Sequence, residues 1–300
     1  MEECKRMMDN AIVCHYEYMW TMDYGQDGVM YKDFLFRFDG AGCCKVYSIS
    51  QKKQISSFMV DRVLIPHSNA VCFGTEFYEP TDEFPLLYSN IYNNYAKSPD
   101  RLEGTCCVYR LKREANQFEA KLVQVIRIDF VENTNYWKSG DGIKDTRPYG
   151  NFVINTDSNK LYAFTMRDCD HVTRYFEFDL PKVADGEYSS LYDVNVVRLT
   201  VSDIKSFFDC EYSNYLQGAC YYDNKIYSLE GFSGTAKPAK LQIIDLVNQK
   251  QLTSINLYGI GLIIEPEFVD VYDGVLYYSD AEGRLFSFGK ICELQKAYEE

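Results

Sequence analysis

Short apolar runs recur along the chain, each opened by one polar residue and closed by a turn. Three segments align without gaps: Gln26-Asp27-Gly28-Val29-Met30-Tyr31-Lys32-Asp33-Phe34-Leu35-Phe36, Gln217-Gly218-Ala219-Cys220-Tyr221-Tyr222-Asp223-Asn224-Lys225-Ile226-Tyr227, and Glu267-Phe268-Val269-Asp270-Val271-Tyr272-Asp273-Gly274-Val275-Leu276-Tyr277. Each places a Tyr five residues after the leading polar residue, then a turn, then a second apolar run. Asp-Asn and Asp-Gly tolerate positive φ, so each unit predicts a tight β-hairpin.

Two looser copies open on Asn151-Phe152-Val153-Ile154 and on His67-Ser68-Asn69-Ala70-Val71-Cys72-Phe73. The first continues into Leu161-Tyr162-Ala163-Phe164. The second reaches Leu86-Leu87-Tyr88 after an insertion. Third and fourth strands also read out, as in Lys240-Leu241-Gln242-Ile243-Ile244-Asp245 followed by Gln251-Leu252-Thr253-Ser254-Ile255. Four strands per unit, repeated, is the pattern of a propeller blade.

On these residues the chain resembles the β-propellers of the broad NHL/YVTN type over nearly its whole length, most closely in YYDNKIYSLEG and LQIIDLVNQKQLTSINL. There is no WD dipeptide signature. The expectation is an all-β, single-domain propeller over residues 1–300, with five blades of four antiparallel strands starting near residues 26, 67, 150, 217 and 266. An insertion spans residues 79–104. A sixth blade would have to hide in Lys182–Tyr215, where a short helix over Ser202–Phe208 is expected instead. A helix is also expected from Cys292 to Glu299. The last unit lacks an outer strand, which the apolar and aromatic run Ala11–Trp20 is expected to supply, closing the ring and removing sheet edges.

Composition narrows the partners. Hydrophobic residues make up 46% of the chain and aromatic residues 16%, which suits pleated, half-buried surfaces. The net charge of −13 disfavours nucleic acid and anionic membranes, both of which need clustered Lys and Arg. The 11 cysteines show no C-x-x-C and no zinc spacing with the three histidines, so buried free thiols in a reducing compartment are expected. The first ten residues lack an apolar signal region, and no run of roughly 20 apolar residues occurs. A cytoplasmic location is expected. Neither a metal nor a cofactor is indicated. Asn155-x-Asp157-x-Asn159 starts like a calcium loop, but Lys160 stands where Gly is required.

The resemblance implies that the first strand of each blade lines a central channel. The leading residues Gln26, Asn69, Asn151, Gln217 and Glu267, with neighbours Asp27, His67, Arg147, Tyr149 and Glu265, would then converge on one mouth. Converging polar groups in a concavity are the default binding site. They equally well satisfy one another, backbone or trapped water. The expected function is recognition of a small polar ligand, a carbohydrate or a protein at that mouth. The alternative is glycoside hydrolysis, which needs two carboxylates roughly 5–10 Å apart; Asp27, Glu265 and Glu267 are the catalytic candidates. Raised carboxylate pKa values would favour an enzyme, and a ring of amides and aromatics would favour binding.

Overall fold

The computed structural model describes residues 15–60, 63–91, 104–128, 151–167, 171–213 and 215–294. The chain opens with β1 (Glu17–Thr21) and then lays down blade one as β2 (Gly28–Tyr31), β3 (Phe34–Phe38), β4 (Cys43–Ser48) and β5 (Lys53–Met59). Blade two follows as β6 (Val71–Phe73), β7 (Leu87–Ile91), β8 (Thr105–Glu114) and β9 (Gln117–Ile128). Blade three starts with β10 (Asn151–Asn155), β11 (Lys160–Arg167) and β12 (Val172–Asp179). The chain then makes β13 (Glu187–Ser189) and β14 (Val194–Leu199) before β15 (Ser206–Glu211). Blade four is β16 (Leu216–Tyr222), β17 (Lys225–Glu230), β18 (Lys240–Asp245) and β19 (Lys250–Asn256). Blade five is β20 (Pro266–Tyr272), β21 (Val275–Asp280) and β22 (Arg284–Lys290). Five antiparallel blades form a five-bladed β-propeller, with the first strands touching one another around the axis.

The hairpins form where the sequence places them. Asp223 and Asn224 have φ of 49° and 56°, and Asp273 and Gly274 have 51° and 70°. Positive φ at both central residues gives a turn whose twist matches the strands. Because each blade is covered on both faces, alternate residues of a strand enter different apolar layers. Val29 packs toward blade two and Met30 toward blade five. The same alternation splits the adjacent thiols: Cys107 enters the layer between blades one and two, Cys106 that between blades two and three. All eight described cysteines are free, and only Cys292 is exposed.

Two features depart from the simple repeat. After β12 the chain leaves its own blade, and β14 pairs parallel with β9, aligning Asn195 with Gln124. Blade two thereby becomes a six-stranded sheet, with β13 on its edge. The chain then returns as β15, the outer strand of blade three. The helix expected over Ser202–Phe208 is therefore corrected: a 3-10 turn covers only Val201–Asp203, and Ser206–Glu211 is a strand. The second run read at Leu86-Leu87-Tyr88 is the second strand of blade two, Leu87–Ile91, and it lies within the span 79–104. At the C-terminus residues 291–294 are helical, and the rest of the expected helix lies outside the described residues. Among the described residues no helix is long and apolar enough to cross a membrane.

Candidate functional site

Local irregularity aims the site. The ladders of β16 and β20 shift register at Leu216/Ala219 and at Pro266/Phe268, so Gln217 and Glu267 sit in bulges at the heads of their strands. A bulge re-aims a side chain out of the pleat. Gly218 permits the close approach that follows. A Cβ there would lie 2.4 Å from the Glu267 carbonyl oxygen and 2.8 Å from Asp27 Oδ1.

The predicted residues divide into two groups. The first group ties neighbouring blades together and is buried. Asn69 Nδ2 donates to the Leu216 carbonyl, and Asn151 Nδ2 donates to the Gln217 carbonyl. Asp27 Oδ2 accepts the Val71 N–H at 2.9 Å. These side chains are at most 2% exposed. The other group is joined by side-chain hydrogen bonds and runs from buried Gln26, Gln217 and Glu267 to half-buried His67 and Glu265 and exposed Tyr24. His67 Nε2 lies 3.2 Å from Gln26 Oε1, Gln26 Nε2 donates to the Tyr24 hydroxyl at 2.9 Å, and it lies 3.5 Å from Glu267 Oε1. Beside this, Gln217 Nε2 donates to Glu265 Oε1 at 2.8 Å. Arg147 and Tyr149 lie outside the described residues.

The electrostatics follow from burial. Desolvation pushes the Glu267 carboxyl well above its ordinary range, with Glu265 adding repulsion and Arg37 opposing it. Half-buried Glu265 is raised by desolvation and lowered by the Gln217 amide. Burial lowers the pKa of His67, with the Asp39 charge opposing it. Fully buried Asp27 is raised strongly by desolvation, while its Oδ1 has no hydrogen-bond partner among the described residues. It is thus a blade tie whose carboxyl is shut away from solvent.

Three contributors were not singled out in the sequence. Arg37 on β3 is 1% exposed and donates to the Gly25 carbonyl at 2.9 Å, with its guanidinium 5.5 Å from the Phe268 ring centroid. Its Nε and Nη1 have no hydrogen-bond partner among the described residues, and Glu267 and Asp27 are the two largest charges acting on it. Asn90 accepts the Ala70 N–H. Asp270 bridges blade five to blade one by accepting the Met30 N–H at 2.7 Å. A single charge inside an apolar run, as in Phe36-Arg37-Phe38 and Val269-Asp270-Val271, was the available signal.

Burial pushes Asp270 up to about 6 despite two backbone donors. Between about pH 4 and pH 6 the folded protein therefore holds a proton that the unfolded chain has already released. Stability from this group is complete below about pH 4 and is lost as pH rises through about 6. The loss is expected to be about 2–3 kcal/mol. Urea unfolding of the wild type and of Asp270→Asn at pH 4.5 and pH 7.5 checks this: the wild type should lose more stability across that interval. Equal losses would remove Asp270 as the cause.

A surface groove of about 460 Å³ beside Asp33, Gln54 and Arg113 is a weaker candidate. Its carboxylate is already occupied, since Asp33 accepts from Ser48 at 2.7 Å and from the Ser50 backbone at 2.8 Å. Among the described residues no group of three or more His, Cys, Asp or Glu is placed to hold a metal ion.

No family model and no curated protein matches the sequence. Solved structures do. Glutaminyl cyclase from Myxococcus xanthus is similar with a TM-score of 0.50 at 10% identity, over 91% of this chain and 94% of that one. Hydrazine synthase from Kuenenia stuttgartiensis gives a TM-score of 0.42 at 13% identity, over 82% and 58%. BamB from Moraxella catarrhalis gives 0.33 at 8% identity, over 88% and 57%. At such identity the likeness to the cyclase is one of fold, and fold alone does not carry function.

Proposed function

We propose that this protein is a binding propeller that recognises a small polar ligand at the channel mouth, against Gln26, His67, Gln217, Glu265 and Glu267. One observation carries the reading. The hydrogen bonds between His67, Gln26, Glu267 and Tyr24, and between Gln217 and Glu265, hold these side chains in place before any ligand arrives. Groups already ordered lose little entropy on binding. Asn69, Asn151 and Asp27 serve by fixing the strands from which those side chains project.

Raised carboxyls at Glu265 and Glu267 favour a second reading, a glycan hydrolase in which Glu267 supplies the proton. Against it, Glu267 is only 3% exposed, leaving little room to approach a leaving-group oxygen.

A thermal-shift panel of sugars, small metabolites and nitrophenyl glycosides tests both. Ligands that raise the melting temperature of the wild type are expected to lose that effect in the Gln26→Ala/Gln217→Ala double variant. Unchanged stabilisation by every such ligand would overturn the mouth reading. Release of nitrophenol that Glu267→Gln abolishes would move the assignment to the hydrolase.

A further inference from the structure

The loop between β17 and β18 leaves blade four at the same end as the head of β16, because Glu230 pairs with Leu216. It carries Phe232, and hydrogen bonds fasten it to the mouth. The Gly231 N–H donates to the Tyr215 carbonyl at 3.0 Å, and the Gly231 carbonyl accepts from Gln217 Nε2 at 3.3 Å. Ser233 Oγ accepts the Glu265 N–H at 3.0 Å. Gly231 has φ of 109°, and a Cβ there would lie 2.5 Å from the Pro238 carbonyl oxygen. Only Gly lets the loop fold back this closely.

Two aromatic rings stand on this frame without being buried. Phe232 is 48% exposed and Tyr215 is 38% exposed, with centroids 6.0 Å apart. Tyr215 has φ of 63°, in the left-handed region that a bulky side chain rarely adopts. Such outliers persist where the surroundings impose them, and they cluster at binding and active sites. Lys237 Nζ lies 3.4 Å from the Tyr215 centroid and forms no ion pair among the described residues. Glu265 Oε1 accepts the Gln217 amide at 2.8 Å, and its other oxygen has no hydrogen bond among the described residues. An exposed ring wall, an ammonium, an amide and a half-buried carboxyl therefore share one patch.

We propose that this patch binds a hexopyranose unit of a carbohydrate, its C–H face on Phe232 and its hydroxyls on Glu265, Gln217 and Lys237. The proposal rests on the reading of the mouth as the binding site and names its ligand class. A pyranose joins an apolar face to a rim of hydroxyls, and each hydroxyl both donates and accepts. It therefore suits Glu265 in either protonation state. Two half-exposed rings fall far short of the roughly 800 Å² per partner that a stable protein interface buries, whereas they match the face of a sugar.

Calorimetric and saturation-transfer NMR titrations with maltotriose, cellotriose, mannotriose and chitotriose test the proposal, with sorbitol as an open-chain polyol that has the hydroxyls but no ring face. At least one trisaccharide is expected to bind, with saturation reaching its ring C–H protons, and sorbitol at least about tenfold more weakly. Phe232→Ala, at an exposed position, is expected to melt like the wild type and to bind that sugar about tenfold more weakly, while Phe232→Trp retains binding. Equal binding of sorbitol overturns the carbohydrate assignment, as does sugar binding that Phe232→Ala leaves unchanged. If no trisaccharide binds while another small ligand is lost in Gln26→Ala/Gln217→Ala, the carbohydrate assignment falls and the mouth reading stands. If no ligand responds to any of these substitutions, both fall.

Discussion

Phe36→Ala is expected to cost about 3–5 kcal/mol of folding stability, the range for removing a buried Phe ring. Phe36 is fully buried on β3, in the apolar layer between blades one and two. Its ring meets Phe73, Phe84 and Phe118 edge to face, with centroids 5.7, 5.5 and 5.7 Å away. Those three rings come from β6, from the segment before β7 and from β9, so they are fixed by separate parts of the blade and cannot all collapse into the gap. The edge-to-face pairs add to the loss of buried area. Against a typical total of about 5–15 kcal/mol, the expected cost is about a fifth or more of the whole. Phe36→Leu retains most of the volume and should cost less than half as much. Urea unfolding of both variants is the check. A cost below about 1 kcal/mol for Phe36→Ala would show that this layer repacks freely.

The neighbouring position explains why the site was only partly legible. In Phe34-Leu35-Phe36-Arg37-Phe38 the apolar run announces a strand covered on both faces. The Arg within it announces a charge with somewhere to go. Its partners lie at Gly25, in the segment just before blade one, and at Asp280 and Glu267, more than two hundred residues away. Repeat register is local, so Gln26, Asn69, Asn151, Gln217 and Glu267 could be read as strand heads. What their side chains bond to is set by other blades. Hence Asn69 and Asn151 turn out to be spent on the backbone of blade four, and Glu265 holds a more open position than its repeat register implied.

The same limit applies to the fold. The hairpins at Asp223-Asn224 and Asp273-Gly274 are encoded by their own turn residues. The parallel pairing of β14 with β9 is not, since it joins segments about seventy residues apart with no turn between them. In β15, Phe208 and Cys210 are buried while Phe207 and Asp209 face outward, with Phe207 under the Arg174 guanidinium. That period of two marks a strand at a blade's edge, and it was masked by the turn-forming Ser202 and Asp203 just before it.

Deleting residues 1–21 is expected to lower the melting temperature by about 10 °C or more and to promote aggregation. The expectation of an N-terminal outer strand is met by Glu17–Thr21; residues 11–14 of the expected run lie outside the described residues. The strand pairs with β22, placing Trp20 opposite Leu285 and Thr21 opposite Arg284. Trp20 is 8% exposed and joins Met30, Leu35, Phe268 and Leu285 between blades five and one. Tyr16 and Tyr18 both approach Phe286 edge to face, and the Tyr16 hydroxyl donates to the Ile260 carbonyl at 3.0 Å. Losing Trp20 alone should cost about 3–5 kcal/mol, and the deletion also bares the full edge of β22. Trp20→Ala separates the two contributions, because it keeps the ladder and removes only the ring. The deletion is expected to melt below Trp20→Ala and to appear partly associated by size-exclusion chromatography with light scattering, whereas Trp20→Ala should elute like the wild type. A deletion that melts like the wild type would mean that β1 covers the last blade without holding the ring closed.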